Sequence, residues 1–218
     1  MRKLTSYMKV QALLGDLLRN RRGLLKSESW RERRFLNLGC GPFPEEGFVN
    51  LDYRWRPGID VVWDVLRPLP FPDNRFDGVF TEHCLEHFDL NQLSGVLREI
   101  HRILAPSGVL RLVVPDLAKY AEAYVARQRG ESVADDGKLS TAEAFNRVFY
   151  SGHVWMSRSR WWNDGHHFIH DFESMSDVLS RAGFTDIRRC EVKMGALPEL
   201  LVDREDQAWE SLYVEARK

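Results

Sequence analysis

The sequence predicts an α/β fold: a mostly parallel seven-stranded sheet, with one antiparallel strand near its end, covered by helices on both faces. Three observations carry this. An apolar run, Phe35-Leu36-Asn37-Leu38, enters a Gly39-Cys40-Gly41 turn, and a second, Phe48-Val49-Asn50-Leu51, ends on Asp52. Amphipathic helical periodicity then alternates with short apolar runs. Residues 109–114 are nearly continuous in apolar side chains, as a central strand buried on both faces requires.

The elements follow in order. Residues 3–19 read as an amphipathic helix, with Leu4, Tyr7, Met8, Leu14, Leu17 and Leu18 at helical spacing; Arg19 to Arg22 supply a basic C-terminal end and Gly23 a stop. Strands are expected at 34–38, 48–52, 59–63 and 77–81. Between the first two lie only residues 39–47, too few for the helical crossover that normally joins parallel strands. The N-terminal helix is the candidate to cover the patch of sheet this leaves. Asp89 caps a helix whose Leu90, Leu93, Leu97, Ile100 and Leu104 share one side, and Pro106-Ser107-Gly108 turns the chain into the fifth strand. A helix over 117–127 follows. Residues 130–137 read as a polar loop, and Ser140-Thr141-Ala142-Glu143 as a capping box opening a short helix. Helical rhythm returns at Met175, Val178, Leu179 and Ala182 and stops at Gly183; the last strands are expected at 185–193 and 209–216.

Composition narrows the class. A chain of 218 residues fits one domain with an insertion: an N-terminal helix and basic linker over 1–30, then a domain over 31–218 interrupted at about 128–170. The net charge of −1 argues against a nucleic-acid binder that works by bulk electrostatics. Three widely spaced cysteines, Cys40, Cys84 and Cys190, without a C-x-x-C pair, fit free thiols in a reducing compartment, and a cytoplasmic location is expected. No stretch approaches the roughly 20 apolar residues of a membrane span, though the N-terminal helix is amphipathic enough for peripheral membrane contact.

The glycine turn and the acid that follows it point to a ribose-containing ligand. Glycine lets the backbone turn tightly and approach a ligand, and a carboxylate at the next strand end can accept from both ribose hydroxyls. The dinucleotide fingerprint fits poorly, because Pro44 stands where a third glycine belongs and Asp52 follows Gly41 by 11 residues rather than about 20. The turn resembles instead the first motif of the class I S-adenosylmethionine-dependent methyltransferases. Further stretches resemble that family in order and spacing: Val62-Trp63-Asp64-Val65, the run from Leu69 to Phe80, Glu82-His83-Cys84-Leu85-Glu86-His87-Phe88, and Arg98 through Gly108. The likeness runs over about 33–116 and resumes at 171–184, and it is nearest to short bacterial members of the small-molecule and glycan type.

The resemblance implies a Rossmann-like methyltransferase fold with a shortened first crossover, and S-adenosylmethionine as cofactor. It places the cofactor against Asn37, Gly39, Cys40, Gly41, Asp52, Tyr53, Asp64, Val65, Thr81 and Glu82, with Asp52 on the ribose, Asp64 and the Val65 amide on the adenine, and Thr81 and Glu82 against the methionine half. His166, five residues ahead of Asp171, is the leading general-base candidate, since one bacterial branch carries a similar histidine there and imidazole exchanges protons near neutrality. His83 is the second catalytic candidate; His167 and His153 are weaker. The spacings His83/His87 and His166/His170 would align two imidazoles on a helix, but no H-E-x-x-H motif accompanies them and no metal is expected. Trp155, Trp161 and Trp162 are the candidate stacking surface for an acceptor, and equally a candidate core for the insertion.

No proline-rich Asn/Asp-Pro-Pro-aromatic motif or Pro-Cys pair marks a base methyltransferase, so the expected acceptor is a small molecule or saccharide, methylated on oxygen. Two other readings remain open at this point: a cofactor-binding scaffold without catalysis, and a nicotinamide-dependent oxidoreductase.

Overall fold

The computed structural model describes residues 6–21, 30–132, 142, 146, 148–149 and 165–218. In chain order these form α1 (Ser6–Leu18), β1 (Phe35–Leu38), β2 (Phe48–Asp52), β3 (Val61–Val62), β4 (Phe76–Glu82), a 3₁₀ turn (Leu85–His87), α2 (Leu90–Ile103), β5 (Leu104–Pro115), α3 (Leu117–Gln128), α4 (Phe172–Arg181), β6 (Thr185–Cys190) and β7 (Ser211–Arg217). The seven strands make one sheet in the order β3-β2-β1-β4-β5-β7-β6. The pairs from β3 to β5 are parallel, while β7 runs antiparallel to both β5 and β6. The expected sheet is therefore present, with β7 as its one reversed strand. The expected polar loop at 130–137, most of the capping box at 140–143, and His153, Trp155, Trp161 and Trp162 lie outside the described residues, as do Gly23 and the first residues of the N-terminal helix.

The elements form where local chemistry and burial agree. Asp89 Oδ1 accepts from the amides of Asn91 and Gln92 at 2.9 Å each, and Gln92 Oε1 accepts from the Asp89 amide at 3.1 Å, a reciprocal cap that opens α2. Leu93, Val96, Leu97, Ile100 and Ile103 then face the core. Asp171 and Ser174 cap α4 in the same way, at 2.9 and 3.1 Å. Two boundaries differ from expectation. Leu104 ends α2 and already pairs with Phe76, so Pro106-Ser107-Gly108 sits within β5 as an irregularity, with Ser107 at φ 64° before the ladder resumes at Gly78 and Val109. The third strand shrinks to Val61–Val62 at the sheet edge.

The first crossover is as short as expected: no helix lies between Leu38 and Phe48. Two buried asparagines replace it. Asn37 and Asn50 are direct partners in the parallel register of β1 and β2. Asn50 Oδ1 accepts from the Glu45 amide at 2.8 Å and Asn50 Nδ2 donates to the Glu45 carbonyl at 2.9 Å. Asn37 Nδ2 donates to the Phe43 carbonyl at 3.1 Å and to Asn50 Oδ1 at 3.3 Å. The loop's polar groups are thus paired against the sheet instead of inside a helix.

Helix α1 does not cover the β1–β2 patch through its described contacts; the end of the helix reaches the tips of β2 and β3. Arg19 Nε donates to the Tyr53 carbonyl at 3.0 Å, with its guanidinium carbon 3.6 Å from the centre of the Tyr53 ring. The Asn20 amide donates to the Val62 carbonyl at 3.1 Å, and Asn20 Oδ1 accepts from the Asp64 amide at 2.9 Å. Trp30, meanwhile, belongs to the main core with Leu36, Leu38, Val49 and Leu51.

At the other end of the sheet a fully buried Arg111 donates to both oxygens of Asp203 at 2.6 Å and to Glu215 at 3.0 Å. Asp203 also accepts from the Lys193 amide, and Glu215 from the Ala196 amide. The long β6–β7 connection is fastened to the sheet by this charge cluster, which fixes where Arg204 stands.

Asn50→Ala is expected to destabilise the protein by about 1–3 kcal/mol, because it leaves the part-buried amide and carbonyl of Glu45 without their side-chain partner. Urea unfolding monitored by tryptophan fluorescence measures this; an unchanged midpoint would show that the loop holds itself.

Candidate active site at the carboxyl ends of the strands

Gly39 and Gly41 follow β1 at φ 72° and 54°, in the left-handed region where a side chain is strained. A Cβ on Gly39 would run into Cys84 Sγ, whereas a Cβ on Gly41 would meet nothing within 4 Å. One glycine is demanded by packing; the other presents an open backbone. The Gly39 and Cys40 amides donate to the Leu51 carbonyl at 2.8 and 3.2 Å, so the turn is fixed to β2. Asp52, at the end of β2, accepts from the Gly41 amide at 2.9 Å through Oδ2 and from the Arg54 amide at 2.8 Å through Oδ1. A carboxylate has about four acceptor positions, so each oxygen keeps one for a hydroxyl. The open turn and this half-satisfied acid fit a ribose.

The other expected cofactor contacts divide. Asp64 follows β3, its amide held by Asn20 and its Oδ1 accepting from the Leu66 amide at 3.1 Å; Asp64 and Val65 are both partly exposed. Tyr53 stands beside them under Arg19. Asn37 is a different case: it is buried, and its amide is committed to the crossover loop. Thr81 is fully buried in β4. Glu82 is bound by Arg204, whose Nε donates to Oε2 at 2.7 Å and whose amide donates to Oε1 at 3.1 Å. The Arg204 guanidinium also lies 4.3 Å from the centre of the Phe43 ring, joining the glycine loop to β4. Cys40 and Cys84 are pushed up by burial, which keeps both thiols protonated.

Beyond β4 the chain packs histidines around a buried acid. His83 has φ 48°, and the 3₁₀ turn that follows directs Glu86 inward, where its side chain is 1% exposed. His83 Nδ1 lies 3.4 Å from Glu86 Oε1, and His83 Nε2 lies 3.1 Å from Ser211 Oγ. His166 Nε2 is 3.9 Å from the same Glu86 oxygen, and His166 Nδ1 is 2.5 Å from the Val148 carbonyl. The Glu86 carbonyl accepts from the amides of His167 and Phe168 at 2.8 and 3.3 Å, tying 165–168 to the turn. Burial alone would raise the Glu86 carboxyl, but His83, His87 and His166 hold it well below the usual carboxylate range. Burial would likewise lower His83, yet Glu86 raises it on balance; His166 is lowered, chiefly by burial. Glu86 and His83 therefore shift in opposite senses, each favouring the charged form of the other, while burial favours the neutral form of His166.

Neither i, i+4 histidine spacing falls within an α-helix. His87 packs edge-on against His166, their ring centres 5.1 Å apart, while His170 Nδ1 turns to Ser174 Oγ at 3.3 Å. His170 is fully buried and lowered to about 4 by that burial, so it stays neutral. Glu86 and Arg204 were not anticipated as site residues. Glu86 had a signal, an acid three residues after His83 and next to His87; Arg204 lies 122 residues from its partner and had none.

Residues 49–112, from β2 into β5, match the family model described as a methyltransferase domain. No curated protein matches the chain. A solved S-adenosylmethionine-dependent methyltransferase of Thermotoga maritima, described as a possible histamine N-methyltransferase, is 15% identical with a TM-score of 0.50, covering 97% of this chain and 95% of that one. An S-adenosylmethionine-dependent methyltransferase of Archaeoglobus fulgidus is 19% identical with a TM-score of 0.49, covering 95% and 94%. The 1,6-didemethyltoxoflavin-N1-methyltransferase of Burkholderia thailandensis is 18% identical with a TM-score of 0.46, covering 84% and 70%. The matched domain spans under a third of the chain, and together with the sheet order it supports an S-adenosylmethionine-dependent methyltransferase. The protein is an enzyme with S-adenosylmethionine as its cofactor, and the domain match is to a methyltransferase and not to an oxidoreductase.

Asp52→Ala is expected to weaken S-adenosylmethionine binding by about 1.5–3 kcal/mol, the range for hydrogen bonds to a charged group. Titration calorimetry would show this, and equal affinity in the variant would remove Asp52 from the ribose site.

Proposed function

We propose that the enzyme methylates a hydroxyl oxygen on a small-molecule or saccharide acceptor, with His166 as the general base. The observation that carries this is the state of the His166 ring. A carbonyl can only accept, so the bond to Val148 places the proton on Nδ1 and leaves the lone pair on Nε2. That nitrogen lies beside the Glu86 carboxylate, which stabilises the imidazolium formed when a hydroxyl proton is taken. An amine acceptor would have no need of such a base once unprotonated.

The cofactor supplies an electrophilic methyl group. The chain's own residues do the rest. Gly41 and Asp52 fix the ribose, Asp64 and Val65 face the adenine, and the other expected cofactor contacts, Gly39, Cys40, Tyr53, Thr81 and Glu82, surround or underlie this cradle. Holding donor and acceptor in line accounts for much of the rate in such a transfer. His83, engaged at both nitrogens by Glu86 and Ser211, serves as a positioning residue that keeps Glu86 ionised and in place. The three free cysteines support a reducing, cytoplasmic setting, and among the described residues no helix is long and apolar enough to cross a membrane.

Screening hydroxyl-bearing small molecules and saccharides with methyl-labelled S-adenosylmethionine tests the acceptor class, and the label is expected in an ether. On that acceptor His166→Ala should lower turnover about 100- to 10,000-fold while cofactor affinity stays the same. A product methylated on nitrogen, or full turnover in the variant, would contradict the proposal.

A further inference from the structure

We propose that Glu86, His87 and His166 form a binding site for a divalent transition-metal ion of the zinc class. Three observations converge. First, one donor atom from each residue lies within 4.8 Å of the other two. A tetrahedral ion with bonds of about 2.0–2.1 Å separates its ligands by about 3.4 Å, so side-chain rotations of order 1 Å close the set.

Second, both imidazoles are oriented as ligands. His87 Nδ1 lies 3.3 Å from the Gly165 carbonyl, and His166 Nδ1 lies 2.5 Å from the Val148 carbonyl. Each carbonyl fixes the proton on Nδ1 and leaves Nε2 with its lone pair. An outer hydrogen bond from one ring nitrogen to a carbonyl, with the other nitrogen left as donor, is how metal-binding histidines are held.

Third, the Glu86 side chain is 1% exposed, yet neither of its oxygens has a hydrogen-bond partner of good geometry. The His83 contact at 3.4 Å engages only Oε1, leaving Oε2 bare. A buried carboxylate ordinarily accepts several hydrogen bonds. An acceptor this poorly served, with a ligand atom of each of two imidazoles within 4.8 Å, has the chemistry of a cation ligand. The frame is also rigid: the Glu86 carbonyl receives the His167 and Phe168 amides, so both halves of the site are locked together.

The donor set selects the ion. Two imidazoles and one carboxylate suit Zn²⁺, Co²⁺ or Fe²⁺, whereas Mg²⁺ and Ca²⁺ prefer all-oxygen shells. An ion on His166 Nε2 takes the lone pair that the base uses, so metal occupancy and proton abstraction exclude one another. That consequence rests on the function proposed above; the site itself does not.

The test is a Co²⁺ titration of the chelator-treated full chain, read from the visible d–d absorption, with Zn²⁺ then added to displace Co²⁺. We expect one Co²⁺ per chain, displaced by Zn²⁺, and affinity at least about tenfold weaker in both Glu86→Gln and His87→Ala. Calorimetry with S-adenosylhomocysteine checks that each variant is folded; His87, only partly buried, is the safer of the two. No absorption band, or an affinity unchanged in both variants, would overturn the site. Binding is read without any acceptor, so failure of the metal site and failure of the His166 base are separate results.

Discussion

Nine residues between two parallel strands leave no room for a helix, and the placement of the active site follows from how this chain meets that constraint. A helix would have paired its own backbone groups. Here Asn37 and Asn50, adjacent across β1 and β2, do so from beneath the loop. With the loop held flat, the Gly39-Cys40-Gly41 turn reaches the end of β2, where its amides meet the Leu51 carbonyl and Asp52. The candidate cofactor cradle is thus a product of the short crossover, and the backbone lies open at Gly41.

Burial and charge build the second half of the site. Residues far apart in sequence converge on the carboxyl end of β4: Arg204 on Glu82, Ser211 on His83, and 165–168 on Glu86. Each contact is polar and largely withdrawn from water, so each is strengthened by low dielectric and costly to leave unmade. The Arg111–Asp203–Glu215 cluster plays the same role one strand further on. It fastens the β6–β7 connection and thereby places Arg204. Glu86 is the point of greatest tension, a buried acid with three imidazoles around it, those of His83, His87 and His166.

Most of the fold was legible in the sequence because it is written in local terms. Apolar runs bounded by turns marked the strands, and Asp89 marked the start of α2. Boundaries failed where tertiary pairing won: Leu104 left its helix to join Phe76, and Ser107 became a kink inside β5. At the candidate site, the juxtaposition of the glycine turn with Asp52 was legible because their spacing is local. Asn37, expected against the cofactor, spends its amide on the loop, which no local signal shows. The two i, i+4 histidine spacings do not align their imidazoles on a helix, for a geometric reason. The i, i+4 rule holds on an α-helix, but His87 sits on a 3₁₀ turn entered through a left-handed His83, and His170 lies in a bridge to Asp116. Arg204 and Ser211 reach the site only through tertiary folding.

The account turns on Asp52 and the open glycine turn forming a nucleoside cradle at the carboxyl ends of β1 and β2. The most direct measurement is a crystal structure of the protein with S-adenosylhomocysteine. The prediction is that both ribose hydroxyls lie on the Asp52 carboxylate and the adenine lies against Asp64 and Val65. A nucleoside bound away from Asp52, with the glycine turn untouched, would contradict it.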